Sequence, residues 1–311
     1  MKTRIQLFLT ALGLLAVACR SFAQYNYTTL SVPGAADTYV LGISGNDIVG
    51  FYNNTGAWTQ GQGFLYDGSS FTTISFPGAL DTVAFGISGN DVIGGYDTGS
   101  TWHGFIYNGS TYTTLDFPGS GETFAQGISG SGIVGSYNYD AGFLYNGGIW
   151  TTLSVPGAGI TSAFGISGNN IVGQYQTSTA YYGFLYNGTS YATLSVPGAV
   201  NYTVANGISG NDIVGSYLSS SGYTNGFIYN GSSYATLSVP GAIQTYGQGI
   251  DGSEIAGYYE NSSGDIEGFL ATPVPEPSAV TVSLIGPFAL LGVRRRLLRC
   301  YSARFRTGIE L

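Results

Sequence analysis

One short segment of this chain is written six times over. Thr29-Leu30-Ser31-Val32-Pro33-Gly34 returns with small changes at Pro77-Gly78, Pro118-Gly119, Pro156-Gly157, Pro197-Gly198 and Pro240-Gly241, at steps of 44, 41, 38, 41 and 43 residues. Each copy leads into a Gly-Ile-(Ser/Asp)-Gly stretch that reads as a turn, starting at Gly42, Gly86, Gly127, Gly165, Gly207 and Gly249. An Ile-Val-Gly-like run such as Ile48-Val49-Gly50 follows, and then a Gly-Phe run starting at Gly63, Gly104, Gly142, Gly183, Gly226 and Gly268. A unit of this size cannot bury its apolar face alone, so copies must stack on one another.

Within a unit the strands are legible. Thr29-Leu30-Ser31-Val32 alternates polar with apolar, as a half-exposed strand does, and Phe64-Leu65-Tyr66 is apolar on both faces, as a strand between sheets is. Asn108-Gly109, Asn187-Gly188 and Asn230-Gly231 separate two strand-like runs and read as hairpin turns. A Ser-Gly-Asn-Asp stretch supplies the other hairpin. Four strands per unit of about 41 residues describe a propeller blade, and six blades fall within the usual range of about 4–8. The array starts with Tyr27 to Pro33 and stops after Gly268-Phe269-Leu270, so the last unit lacks its outer strand and the first brings one without a partner. Pairing the two closes a ring and removes the exposed edges of an open array. The expected fold is an all-β, six-bladed propeller closed by its N-terminal strand; a β-solenoid or a packed array of sheets is the alternative.

Composition agrees with strands and turns. The chain has 50 Gly and 25 Tyr, and only 8% of its residues are charged. Disorder needs low hydrophobicity and high charge, and helices need Glu and Lys as well as Ala and Leu. All nine Lys and Arg sit at the ends: Lys2, Arg4 and Arg20, then Arg294, Arg295, Arg296, Arg299, Arg304 and Arg306. All but one of the seventeen acids lie between them. A body without cations cannot neutralise phosphates, which excludes nucleic acid and P-loop nucleotide chemistry. Its negative charge keeps copies apart and favours divalent cations as bridges.

The N-terminus joins a basic start, an apolar run from Ile5 to Ala18, and Ser21-Phe22-Ala23. This is the pattern of a secretory signal peptide cut after Ala23; lipoprotein processing at Cys19 is the rival reading. Cleavage after Ala23 leaves the repeat body without cysteine. At the other end, Thr272-Pro273-Val274-Pro275-Glu276-Pro277-Ser278 reads as an extended linker. Ala279 to Val293 is apolar and runs into Arg294-Arg295-Arg296. As a helix that stretch spans roughly 22 Å, short against a hydrocarbon core of roughly 30 Å. Its arginines favour the cytoplasmic side and place the repeats outside.

Pro275-Glu276-Pro277, the apolar stretch and the arginine cluster closely resemble the PEP-CTERM sorting signal of Gram-negative bacteria. The resemblance covers about thirty residues. It implies handling by an exosortase-type sorting enzyme, a membrane passage through the C-terminal helix, and delivery to the cell surface or an exopolysaccharide matrix. Here Leu297 to Leu311 continues past the usual end of such signals. The repeats are similar to extracellular HAF-type repeats, carried well by Gly207-Ile208-Ser209-Gly210-Asn211-Asp212-Ile213-Val214-Gly215 and Gly226-Phe227-Ile228-Tyr229. That likeness spans most of Tyr27 to Leu270 and implies secretion without an established catalytic activity. Gly stands before each Phe where that family's His-Ala-Phe is expected, and only His103 matches the histidine.

Candidate chemistry is sparse. His103 is the sole histidine, so a Ser-His-Asp arrangement must use it, and histidine zinc sites are excluded by count. Asp47, Asp91 and Asp212 share one position in the repeated turn, where other units carry Gly132, Asn170 and Glu254. Turn chemistry accounts for them, with weak Ca2+ binding as the sharper alternative; no other cofactor is expected. The connection between the Ile-Val-Gly-x-Tyr strand and the Gly-Phe strand varies most in length. It gathers Trp58, Trp102, His103, Tyr181, Tyr182, Tyr223, Asp265 and Glu267. Variable loops on a rigid scaffold are where binding residues concentrate, and aromatic plates beside carboxylates and amides suit sugar rings. Trp150 replaces Tyr at a repeated strand position and reads as packing.

The chain therefore divides into a signal peptide (1–23), a six-repeat propeller (24–271), a linker (272–278) and a C-terminal apolar helix with an Arg-rich tail (279–311). The expected role is that of a secreted, non-catalytic surface or matrix protein binding polysaccharide or another surface protein. The rival is a glycoside hydrolase or polysaccharide lyase using loop carboxylates, which needs two carboxyl groups roughly 5–10 Å apart.

Overall fold

The computed structural model describes residues 23–55 and 61–275. The proposed signal peptide, Cys19, Glu276, Pro277, the C-terminal apolar stretch and Arg294, Arg295 and Arg296 lie outside the described residues. Strand β1 is Tyr25–Leu30. Blade one holds β2 (Asp37–Ser44), β3 (Asp47–Asn53), β4 (Gln62–Tyr66) and β5 (Phe71–Ile74). Blade two holds β6 (Asp81–Ser88), β7 (Asp91–Asp97), β8 (Trp102–Tyr107) and β9 (Tyr112–Thr114). In blade three come β10 (Thr123–Ser129), β11 (Gly132–Tyr137), β12 (Ala141–Asn146) and β13 (Ile149–Leu153). Blade four follows with β14 (Ile160–Ser167), β15 (Asn170–Gln176), β16 (Tyr181–Tyr186) and β17 (Tyr191–Leu194). Blade five is β18 (Thr203–Ser209), β19 (Asp212–Leu218), β20 (Thr224–Tyr229) and β21 (Tyr234–Leu237). Blade six takes β22 (Gln244–Asp251), β23 (Glu254–Glu260) and β24 (Ile266–Pro273) from the end of the array and β1 from its start.

The ring closes as the repeat arithmetic requires. β1 runs antiparallel to β24 with Tyr25 opposite Pro273, Thr28 opposite Leu270 and Leu30 opposite Gly268. Two side-chain bonds reinforce the junction of blades six and one. Asp251 Oδ2 accepts the Gly45 N–H at 2.7 Å, and Asp37 Oδ1 accepts the Ile266 N–H at 3.1 Å.

Local chemistry repeats with the sequence. Val32-Pro33-Gly34-Ala35 is a type II turn: Pro sets the first central φ, Gly34 takes φ +83, and the Ala35 N–H bonds the Val32 carbonyl. The residue before each such proline then donates its N–H to a threonine at the head of the next inner strand. Val32, Phe76, Phe117, Val155, Val196 and Val239 pair in this way with Thr38, Thr82, Thr123, Thr161, Thr203 and Thr245. All six threonines are buried. Leaving one such N–H unsatisfied costs about 1–3 kcal/mol. A second staple crosses each blade, from a tyrosine hydroxyl at the end of the second strand to a threonine on the outer strand. Tyr96–Thr114 and Tyr175–Thr193, both at 2.9 Å, are examples, and Tyr259–Thr29 at 3.1 Å carries the pattern across the closing junction.

The two hairpins of a unit differ from each other. The β2–β3 turn has Gly45 at φ +58 in its first central position, a type II′ arrangement. The β8–β9 loop is a four-residue turn, not the two-residue Asn-Gly type expected from the dipeptide. Asn108 Oδ1 accepts the N–H of Ser110 and Thr111 and holds the loop from inside. Asn187 and Asn230 do the same. Only blade three, with Gly147 and Gly148 both at positive φ between paired Asn146 and Ile149, uses the tighter turn.

The core is one layer between each pair of neighbouring blades. Phe64, Phe105, Phe143, Phe184, Phe227 and Phe269 are fully buried; each such burial contributes roughly 1.5–3 kcal/mol. Opposite each phenylalanine stands the glycine of the Ile-Val-Gly run, as Gly173 stands opposite Phe184. A Cβ on Gly173 would overlap the Ser162 carbonyl oxygen and lie 2.8 Å from the Phe184 ring. Glycine is required here by close approach of the strands, and the phenylalanine ring occupies the space that its missing side chain leaves. Gly173→Ala is therefore expected to cost at least about 3 kcal/mol through overpacking. Gly130→Ala, at φ +57 but facing open space, is expected to cost only about 1–2 kcal/mol of backbone strain. Urea unfolding of the two variants measures the difference.

Candidate functional site

The strand order fixes two faces. Each second strand returns to the third on the same side of the ring, where the type II turns also lie, while both hairpin turns emerge on the opposite side. The connections between second and third strands run from residues 138–140 in blade three to 54–61 in blade one. The expected variable-loop face therefore exists, but the strands reach further into it than the sequence indicated. Trp102 and His103 open β8, Tyr181 and Tyr182 open β16, and Glu267 lies in β24. Tyr223 and Asp265 remain in loops, and Trp58 lies outside the described residues.

Strand alternation keeps these residues from forming one aromatic plate. The Trp102 ring packs 5.6 Å from Phe124 of the neighbouring blade, whereas His103 turns the other way. Its Nδ1 lies 2.8 Å from Asp116 Oδ2, and its ring lies 5.2 Å from Tyr96. Tyr181 meets Tyr202 edge-on at 6.1 Å while Tyr182 faces Tyr175 at 5.7 Å. Tyr223 is exposed. Asp265 is held within its own loop by Asn261, whose Oδ1 accepts the Asp265 N–H and whose Nδ2 donates to Asp265 Oδ2. Glu267 accepts the hydroxyl of Tyr259, the residue that also staples Thr29. Three of the predicted residues thus take part in intrablade hydrogen bonds that hold strands or loops together.

The turn acids lie on the opposite face. Among the described residues no group of three or more His, Cys, Asp or Glu side chains is placed to hold a metal ion. Asp212 Oδ1 is buried without a hydrogen-bond partner. Asn187-Gly188-Thr189 is a side-chain-held turn, with the Thr189 N–H and Oγ1–H both donated to Asn187 Oδ1.

The concave feature of the ring is its axis, which the sequence reading did not single out. Every inner strand carries a β-bulge just before its Gly-Ile step. The extra residues are Leu41, Phe85, Gln126, Phe164, Asn206 and Gln248, and all six line the axial space. A bulge re-aims one side chain without disturbing the rest of the ladder; here it does so once per blade. The following glycine lets the neighbouring inner strand come close, since a Cβ on Gly42 would lie 2.9 Å from the Phe85 carbonyl oxygen. That glycine belongs to strand packing, and the turn begins only at Gly45. A signal was available: six aligned positions vary between apolar and amide residues while the Gly-Ile after them does not.

Toward the variable-loop face the axial space opens into a cavity of about 250 Å3, where Tyr202, Tyr246 and Tyr258 join the bulge residues. Tyr246 stacks on Tyr258 at 4.7 Å, Tyr258 meets Tyr39 at 5.1 Å, and Tyr39 stacks on Phe51 at 4.4 Å. Some amides are already oriented: Asn206 Nδ2 donates to the Gly247 carbonyl, and Gln126 Oε1 accepts from buried Ser136. No Asp, Glu, His or Cys lines the cavity. Burial raises the Tyr39 hydroxyl to about 12, with Asp37 and Tyr246 adding to the effect. Burial likewise raises Tyr258, reinforced by Tyr246, Tyr202 and Tyr39, and it raises Tyr202. The site presents rings, amides and neutral hydroxyls, which bind and orient uncharged polar groups but provide no acid–base pair.

Solved structures share this architecture. The β-propeller domain of the Trilobed protease from Pyrococcus furiosus, described as having an open velcro topology, matches with a TM-score of 0.50 at 12% identity, over 79% of this chain and 86% of that one. The tricorn protease matches with a TM-score of 0.50 at 14% identity, over 75% of this chain and 26% of that one. Aleuria aurantia lectin in complex with Fucalpha1-6GlcNAc gives a TM-score of 0.47 at 12% identity, over 81% of this chain and 99% of that one. Similarity at these identities extends to the fold alone. No family model and no curated protein matches the sequence.

The tyrosines give the ring a pH limit. A hydroxyl whose pKa is higher in the folded state than its ordinary 10.0 supports folding fully below pH 10. That support is lost as pH rises through the folded value. The body holds no Lys or Arg whose titration would overlap. Thermal unfolding temperature is expected to fall steeply between pH 10 and about 12, and less steeply in Tyr39→Phe. The part of the phenolate absorbance that is lost in Tyr39→Phe should appear with unfolding, not before it.

Proposed function

We propose that the propeller is the non-catalytic binding module of an exported protein and that it holds an uncharged segment of surface polysaccharide at its variable-loop face. One observation carries this reading: the axial cavity combines the rings of Tyr202, Tyr246 and Tyr258 with the amides of Gln126, Asn206 and Gln248 and has no carboxylate in its lining. Small-ligand sites are concave, mostly apolar, and oriented by a few polar groups. Sugar rings match that mixture, with an apolar face for the tyrosines and hydroxyls for the amides. The acidic, cation-free body repels anionic polymers, so neutral polymers are the favoured class. Hydrolysis or elimination by loop carboxylates gains no support from Glu267, which is engaged by Tyr259, or from Asp265, which is engaged by Asn261. Export and delivery to the surface or matrix belong to the same proposal and rest on the terminal segments, including Pro275-Glu276-Pro277 and Arg294-Arg295-Arg296.

Two measurements test it. The purified protein should retain neutral polymer from the surface of its parent cell and release no sugar from it. Gln126→Leu/Gln248→Leu should weaken retention about tenfold or more, the equivalent of roughly 1.4 kcal/mol. The fold should survive this change, because Leu41 already occupies the same bulge position in blade one. Unchanged retention, or reducing ends released by the wild type, overturns the reading. Mass spectrometry of the mature protein should find a C-terminus upstream of Arg294; an intact tail removes the sorting proposal.

A further inference from the structure

The six clefts between neighbouring outer strands are built to one plan, and two depart from it. At the inner end of each outer hairpin stands an aromatic residue facing the backbone of the preceding blade. Tyr112 accepts the Ser75 N–H on its hydroxyl at 3.1 Å. Tyr191, Tyr234 and Tyr27 make the same backbone contact with Ser154, Ser195 and Ser238. Between blades two and three the position is Trp150, whose ring fills the cleft against Phe117 at 5.3 Å. Between blades six and one it is Phe71, which has no hydroxyl to offer Ser31.

The same cleft is also less tightly closed. The residue before the turn proline is Phe76 between blades one and two, stacked on Tyr96 at 3.6 Å, and Phe117 in the next cleft, stacked on Tyr137 at 3.8 Å. Val155, Val196 and Val239 are buried in their clefts, but Val32 is only half-buried. A groove of about 640 Å3 lies where the hydroxyl clamp is missing and Val32 is only half-buried. Its walls carry the rings of Tyr52, Tyr66 and Phe71 on the blade-one side. Hydroxyls surround them, from Thr29 on β1 and Ser31 just after it, and from Ser69 and Ser70 in the hairpin turn and Thr73 on β5. No charged side chain lines it.

The structure assigns a second ligand site to this closing cleft, one that takes a single uncharged sugar ring of an oligosaccharide. It is separate from the axial cavity and does not depend on it. The hydroxyls of Thr29, Ser69, Ser70 and Thr73 are held by Tyr259, Asp67 and Tyr52, and each oxygen keeps an acceptor lone pair; an apolar or proline-rich peptide would cover the three rings but offer these acceptors few donors. A pyranose ring offers an apolar face to the aromatic wall and hydroxyls to the serine and threonine side chains. An anionic sugar finds no cation in the groove.

The test restores the common plan. In Val32→Phe/Phe71→Tyr the cleft receives the side chains seen between blades one and two, so the fold should hold and the groove should fill. Saturation-transfer NMR on the full-length protein, with glucose, mannose and galactose oligosaccharides as probes, should show contact with at least one neutral sugar. Affinity should drop at least tenfold in the filled variant, while part of the binding persists in Gln126→Leu/Gln248→Leu. If the double variant fails to fold, Phe71→Tyr alone adds one hydroxyl to a ring already in place and should weaken binding several-fold. Absence of neutral-sugar contact at millimolar concentration overturns the proposal. So does equal affinity in wild type and the filled variants, or binding of a proline-rich peptide probe in place of sugar. Loss of binding only in the axial variant would leave the proposed function standing and remove the second site.

Discussion

The pairing of Tyr25–Leu30 with Gly268–Pro273 is the interaction on which the rest of the ring depends. Without it blade six has three strands and an exposed edge, and blades six and one have no reason to stay adjacent. The junction is held in three ways: backbone hydrogen bonds between β1 and β24, the Tyr259–Thr29 staple, and the acceptors Asp251 and Asp37 at the two ends of the first inner hairpin. Two of these are side-chain features found in other blades, so closure uses the general repeat chemistry across a chain break. Asp251 is an exception, standing where other blades have serine, such as Ser88, Ser167 and Ser209. A carboxylate accepts a backbone N–H more strongly than a hydroxyl does, and it falls between blade one and blade six, the one blade assembled from both ends of the array.

Once closed, the ring converts a local irregularity into a site. A β-bulge in a lone sheet bends one strand; six bulges at the same height around one axis place six side chains in a common space. The glycine after each bulge permits the inner strands to crowd together, and the bulge residue is the only side chain at that level free to vary without disturbing the blade. The axis is therefore where a repeat protein of this kind can change its ligand at least cost to the fold. The mix of Leu, Phe, Gln and Asn found there is asymmetric around the ring.

Charge sets what chemistry is available. The sixteen acids ahead of Val293 have no cation among them, and several are engaged by neutral donors: backbone N–H for Asp37 and Asp81, a tyrosine hydroxyl for Glu267. A carboxylate held by a neutral donor fixes structure and keeps its charge at the rim. The concave spaces are left to tyrosine, amide and hydroxyl, groups that recognise uncharged polar ligands through shape and hydrogen bonding. The acids of the propeller thus serve as braces and as a shell that repels anions.

The repeat period, the four strands of each blade, the blade count and the closing strand were all legible in the sequence. Each follows from short-range pattern: alternation, glycine–proline turns and a missing outer strand. The buried threonine at the head of every inner strand was legible too, since Thr38 and its five counterparts are aligned in the repeats, but its role depends on a partner six or seven residues back across a turn. Residues Trp102, His103, Tyr181 and Tyr182 were correctly placed toward the variable-loop face. Only the strand pairing showed that consecutive residues there point to opposite sides, one into the neighbouring blade and one away. The axial cavity and the open cleft at the junction could be decided only by tertiary structure. The axial cavity gathers segments far apart in the chain and the cleft lies between strands of neighbouring blades; a space between blades is set by how the sheets are angled and packed, a quantity that no single repeat contains.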